Sequence, residues 1–174
     1  DLDDNLRSRV NRIYRSSAKL QGYVGEFLDF ERIRRGDVHY TITAFDVVHE
    51  LIEACETIQE RREDCTIKFR DMKINHIMSS EMKFEELILE SDPNFIHRVF
   101  LNVLDNGAKY GNGLVTADVK QNNSFLEIII WNDGEPISQQ ALDKLFVEFY
   151  QQGKRTSGSY GIGLASVRKL VQNL

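Results

Sequence analysis

The sequence is poor in cysteine, in basic charge and in long apolar runs, and each shortage closes off a class of protein. Only two cysteines occur, Cys55 and Cys65, with no His or Cys at metal-ligand spacing beside them. They are expected to be free thiols in a reducing cytosol, not a disulfide framework or a zinc site. No apolar run approaches the roughly 18–20 residues that cross a bilayer, and no signal peptide opens the chain. Any membrane segment of the parent protein is therefore expected outside these residues. The net charge of −5 argues against bulk nucleic-acid binding, although a small Lys/Arg cluster gripping phosphate stays compatible with it. What is present, 174 residues with 41% hydrophobic and 28% charged side chains, suffices for one globular core and an appendage.

Asp3 to Arg35 contains no proline and reads as one long helix. Leu6, Val10, Ile13, Ser17, Leu20, Val24, Phe27 and Glu31 are spaced alternately by four and three, a heptad seam with polar breaks at Ser17 and Glu31. Such a helix is roughly 50 Å long and needs something to cover its stripe. Either it lies across its own domain or it is one strand of a helical bundle in a dimer. Gly36 supplies the stop.

Val38 to Thr43 alternates as a short strand, Phe45 to Arg62 resumes helical periodicity, and Thr66 to Phe69 again reads as a strand. Residues 71–90 give no clear pattern. Asp92-Pro93 opens a helix to about Tyr110. Leu114 to Lys120 and Phe125 to Asn132 form a hairpin, with Val115, Ala117 and Val119 alternating against Thr116, Asp118 and Lys120. A polar turn, a short helical segment, a glycine-rich loop from Gly153 to Gly163 and a last amphipathic helix from Leu164 follow. The whole reads as an α/β sandwich preceded by a long helix.

Three segments carry chemistry. On the 93–110 helix, Asn102, Asn106 and Lys109 fall at i, i+4 and i+7, away from the Ile96, Val99, Phe100, Val103 and Leu104 stripe. Amide oxygens can ligate Mg²⁺ without repelling a triphosphate, and an ammonium balances phosphate charge; the plainer reading is a solvated helix face. The strand ending in Asn132-Asp133-Gly134 is a turn that becomes a site only if a side chain there points into a pocket. Gly153, Gly158, Gly161 and Gly163 crowd before a helix, where backbone N–H groups cradle phosphate. Their spacing is neither the dinucleotide fingerprint nor a P-loop.

In this order and separation the segments resemble the catalytic domain of sensor histidine kinases, in the GHKL superfamily that includes Hsp90, MutL and type II topoisomerase ATPases. Asn102-Val-Leu-Asp-Asn106-Gly-Ala-Lys109-Tyr110 is similar to the N box, and Asn132-Asp133-Gly134-Glu135-Pro136-Ile137 to the G1 box. Leu145-Phe146-Val-Glu-Phe149-Tyr150 is similar to the F box, and Gly161-Ile162-Gly163-Leu164-Ala165 to the G2 box. Residues 1–36 resemble the second helix of the dimerisation and phosphotransfer domain, and residues 37–174 the ATP-binding domain. The resemblance implies a two-layer sandwich, a mixed sheet packed on helices, that binds ATP and Mg²⁺. It implies that Asn106 holds Mg²⁺ with Asn102 in support, that Lys109 meets phosphate, and that Tyr110 and Ile137 line the nucleotide pocket. Gly161, Ile162, Gly163 and Leu164 would wrap the triphosphate, Phe146 and Phe149 would anchor the lid, and Lys154 or Arg155 would reach the γ-phosphate. It further implies a homodimer through the helical bundle, a cognate response regulator as partner, and a bacterial cytoplasmic location, with a parent attached to the inner membrane.

The pattern departs from the family in four places. Alignment on Gly134 puts Asn132 where an Asp normally accepts the adenine amino group, and Pro136 at the second glycine. Asn132 is expected to read adenine and Asp133 to face solvent, with a loss on the order of 1 kcal/mol, roughly five- to tenfold. Ser159 stands where the first G2 glycine often sits. His49-Glu50-Leu51 lacks the basic residue and proline of a phosphoacceptor, so the acceptor helix is expected before Asp1; His39, His76 and His97 have no supporting motif either. The family's final pair of strands is expected to be lacking after Leu174. The altered G1 and G2 boxes leave a rival open, a pseudokinase that serves as a regulatory dimerisation module.

Overall fold

The computed structural model describes residues 2–80, 82–123, 125–150 and 161–173. Helix α1 (Leu2–Arg35) is continuous, as the absence of proline predicts. It ends where Gly36 takes φ of 75° and the N–H groups of Gly36 and Asp37 close back onto the carbonyls of Ile33 and Arg32. Glycine is the residue that enters this left-handed stop without a Cβ clash.

The sequence predicts a strand over 38–43, and here the structure differs. Strand β1 (Thr43–Asp46) begins where the expected one ends. Its partner decides this: β1 pairs antiparallel with β4 (Ile88–Ser91), Thr43 opposite Ser91 and Asp46 opposite Ile88. Upstream, the Thr41 N–H donates to the buried carboxylate of Asp92 at 2.6 Å, outside any ladder. Helix α2 (Val47–Arg61) starts two residues later than its periodicity suggests. Asp46 caps it, accepting from the N–H groups of Val48 and Leu87, both at 3.0 Å.

The main sheet has the order β3-β2-β5-β6. Strand β2 (Thr66–Phe69) pairs antiparallel with β3 (Met72–Lys73) and parallel with β5 (Leu114–Asn122). Strand β5 continues into the antiparallel β6 (Phe125–Asn132), Val115 opposite Asn132 and Asn122 opposite Phe125. The predicted hairpin is thus present with its first strand longer by two residues. Val115, Ala117 and Val119 are buried and Thr116 and Asp118 half-buried, the alternation that the sequence shows. The unreadable stretch 71–90 holds β3, α3 (Ile74–Met78) and β4, elements too short to carry a period.

Helices α2 and α4 (Pro93–Tyr110) lie on one face of this sheet, with Leu51, Ile58, Ile67, Phe69, Leu104 and Val115 wholly buried between the layers. The expected two-layer α/β sandwich with a mixed sheet is what forms. Asp92 caps α4 by accepting from Asn94 at 3.0 Å and Phe95 at 3.3 Å. Two further helices, α5 (Gln139–Leu142) and α6 (Gly163–Asn173), follow the sheet. Helix α6 packs on α4 and also receives the end of α1, where Phe30 is buried with Ile162 and Ala165.

Gly107, in the last turn of α4, offers a test of this packing. A Cβ there would meet the Val115 methyls at 3.4 Å, an ordinary contact. Gly107→Ala should therefore stabilise the chain by about 0.5–1 kcal/mol, as expected for relieving a helical glycine without a clash. Urea denaturation checks it, and a loss of stability would show that α4 lies closer to the sheet than described.

Candidate functional site

Helix α4 buries Phe100, Leu104 and Gly107 against the sheet, which turns Asn102, Asn106 and Lys109 partly outward. The Asn102 amide nitrogen donates to the Arg98 carbonyl at 2.8 Å, one turn back. That bond fixes the side chain and leaves its oxygen directed at the start of α6, where a Cβ on Gly163 would stand 2.9 Å from it. A larger residue at 163 would displace the Asn102 amide from this position. Asn106 is half-buried, and no hydrogen bond to another described residue engages its amide. Lys109 holds its ammonium 5.0 Å from the centre of the exposed Tyr110 ring, within cation–π range.

The turn after β6 closes against the end of α4. A Cβ on Gly134 would lie 2.1 Å from the Tyr110 carbonyl oxygen, so only glycine permits this approach. Asn132 accepts from the Gly134 N–H at 2.9 Å, a side-chain turn that uses one lone pair of its oxygen and leaves another. Its Cβ lies beside Gly111 and Gly107.

Asp133 corrects an expectation. It does not face solvent with its carboxylate idle; it accepts from the N–H of Asn112 at 2.7 Å and of Leu114 at 3.1 Å, and its carbonyl receives the Asn112 amide at 2.8 Å. The cause is register: Val115 pairs with Asn132, which sets the next residue beside the loop entering β5. Desolvation pushes the Asp133 carboxyl up, but the backbone N–H groups of Leu114, Asn112 and Asp133 itself outweigh it and hold the pKa below its ordinary value.

At the far side, the Phe149 N–H donates to the Gly161 carbonyl at 3.0 Å. Gly161 has φ of 70°, and a Cβ there would meet the Tyr150 carbonyl at 2.4 Å. Lys154, Arg155, Gly153, Gly158 and Ser159 lie outside the described residues. Ile162 is buried on Phe30 of α1, so its side chain serves packing, while Leu164 is half-buried. Ile137, Phe146 and Phe149 keep exposed side chains. The structure thus gathers Asn102 with Gly163, and Tyr110 with Gly134 and Asn132, around one end of α4. Sequence reasoning placed the start of α4 at Asp92-Pro93 but missed the bond from Thr41 to Asp92 and the role of Asp133, both of which depend on tertiary pairing.

Asp133 generates a pH prediction. Its folded pKa is below its unfolded one, so its contribution is full above about pH 4 and is lost as pH falls through the depressed value. Asp133→Asn keeps an acceptor oxygen but cannot titrate. The stability difference between the native chain and this variant should therefore be constant above about pH 4 and shrink as the pH is lowered below it in denaturant titrations. A constant difference would mean that the carboxylate charge contributes nothing to the turn.

Residues 91–174 match the model of the histidine kinase-, DNA gyrase B- and HSP90-like ATPase family. A probable sensor kinase SilS of Salmonella typhimurium is 32% identical over 90 residues, covering 49% of this chain and 18% of that protein. The sensor histidine kinase AtsR of Burkholderia thailandensis is 24% identical over 177 residues, 97% of this chain and 28% of the relative. The sensor protein kinase WalK of Staphylococcus haemolyticus is 35% identical over 99 residues, 53% and 16%. The chain therefore spans less than a third of each of these curated relatives. Among solved structures, the mycobacterial sensor histidine kinase MprB shares the fold at TM-score 0.61 and 22% identity, over 76% of this chain and 80% of that one. The Acinetobacter baumannii histidine kinase AdeS does so at 0.66 and 17%, over 89% and 68%. Residues 91–174 thus carry an ATP-binding catalytic domain of the sensor histidine kinase type.

Proposed function

We propose that this chain is the ATP-donating half of a two-component histidine autokinase, acting in the cytoplasm. In its parent it presents ATP·Mg²⁺ to a histidine on a helix outside these residues. The γ-phosphorus then exchanges its bond to the bridging oxygen for one to the imidazole nitrogen, and ADP leaves. One observation supports this most: the helix that carries Asn102, Asn106 and Lys109 sets its Asn102 amide oxygen against Gly163 at the start of α6 and its Tyr110 carbonyl against Gly134, where only glycine fits. Chemistry of this kind needs positioning and charge neutralisation more than covalent help.

In this reading Asn106 holds Mg²⁺, because its half-buried amide has no other described partner and an amide oxygen suits a hard cation. Bound Mg²⁺ supplies neutralisation of the triphosphate charge. Asn102 orients this face, Lys109 meets phosphate, Asn132 accepts the adenine amino group through its remaining lone pair, and Tyr110 and Ile137 line the base. Gly161, Ile162, Gly163 and Leu164 bring backbone N–H groups to the phosphates, Phe149 anchors the loop above them, and Lys154 or Arg155 reaches the γ-phosphate. The rival reading as a pseudokinase finds no support in a face this well kept.

Residues 1–36 are read as one helix of a dimeric bundle, which also docks the response regulator. On α1, the exposures of Leu6, Val10, Ile13, Leu20, Val24 and Phe27 run from 42% to 68%. Covering such side chains is worth about 1.5–3 kcal/mol each at full burial. Association costs roughly 4–15 kcal/mol, so a pairing that buries both copies of the seam is favourable. No described helix is long and apolar enough to cross a membrane.

Calorimetric titration with a non-hydrolysable ATP analogue tests the site. Binding should require Mg²⁺ and be lost in Asn106→Ala, while Asn132→Asp should tighten it about five- to tenfold. If Asp133→Asn abolished binding and Asn132→Ala left it intact, the adenine register would be wrong. The chain alone should not incorporate phosphate at a histidine. Light scattering tests the seam: Ile13→Asp should shift the chain from dimer to monomer without changing nucleotide affinity.

A further inference from the structure

Two histidines without a sequence motif meet on glutamates at the opposite side of α4 from its start of chemistry. Helix α2 carries His49, Glu50 and Glu53 in its first two turns, and His97 faces them from the first turns of α4. His97 Nδ1 lies 2.5 Å from Glu50 Oε1, with side chains only 27% and 17% exposed. His49 Nε2 lies 3.4 Å from Glu53 Oε1. One ligand atom from each of Glu50, Glu53 and His97 falls within 4.8 Å of the others.

The His97 Nδ1 atom is sealed from solvent and lies against Glu50 Oε1, and no regular hydrogen bond engages it. A cation serves ligand atoms that converge from different directions, and it satisfies a buried imidazole nitrogen through its lone pair. Two carboxylates and one neutral imidazole also balance a 2+ charge. Imidazole with carboxylates suits a borderline first-row ion more than Mg²⁺ or Ca²⁺, which take oxygen ligands.

We propose that Glu50, Glu53 and His97 bind a divalent cation of the Zn²⁺ class. His49, already beside Glu53, closes a fourth position. Ligands at about 2.0–2.2 Å from such an ion stand closer together than 4.8 Å, so the half-exposed Glu53 swings inward by rotamer change. The ion joins α2 to α4 and so fixes the beginning of the helix whose later turns carry Asn102 and Asn106. This site is independent of the nucleotide assignment.

Calorimetry and thermal unfolding of the chelator-stripped chain with ZnCl₂ test the proposal. One saturable Zn²⁺ equivalent at submillimolar concentration with a raised Tm is expected. His97→Gln and Glu53→Gln should each weaken it at least about tenfold, and Asn106→Ala should leave it unchanged. Circular dichroism verifies folding, and Glu53→Gln, at a half-exposed helix position, keeps the test alive should His97→Gln fail to fold. No saturable binding overturns the site, as does binding that survives both variants. Loss of binding in a Cys55→Ser/Cys65→Ser chain instead would assign the ion to the thiols.

Discussion

Strands β2 and β5 run parallel, so no tight turn can join them, and the chain between has to travel away and return across the face of the sheet. Helix α4 makes the last leg of that crossover. Its Phe100, Leu104 and Gly107 side must be buried on Val115 and its neighbours, and this orientation alone decides what its other sides can do. The face with Asn102, Asn106 and Lys109 is left toward α6 and the turn after β6. The face of its first turns, with His97, is left toward α2. Both candidate sites follow from how one helix is set on one sheet.

Three close approaches around α4 and α6 are fitted by missing side chains: Gly134 lies against the Tyr110 carbonyl, Gly163 against the Asn102 side-chain oxygen, and Gly161 against the Tyr150 backbone. Asp133 keeps the arrangement in place by capping the loop between α4 and β5 with its carboxylate.

Helix α1 divides into two parts with different energetics. Its end is covered, Phe30 at 1% and Ile33 at 2% exposure, and Phe30 packs on Ile162 at the very entrance to α6. Its earlier seam is bare in the chain by itself. One helix therefore packs on the entrance to α6 with its last turns and offers an apolar stripe with the others.

The sequence alone determined the elements whose signals are local. The length of α1, its Gly36 stop, the Asp92-Pro93 opening of α4 and the alternation along β5 were legible because periodicity and caps act over a few residues, whereas the four boxes were legible only through their resemblance to a known family. It misplaced β1, because that strand is defined by its pairing with Ile88–Ser91 and not by its own alternation. It also set Asp133 in solvent, because only the register of β6 on β5 shows which loop that carboxylate meets. His97 carried no readable signal, because Glu50 stands 47 residues away from it in sequence across the α2–α4 packing; His49 with Glu53 reads only as a common helix-surface pair. Local chemistry wrote the helices; the burial of α4 on the sheet, a long-range event, chose which side chains would face one another.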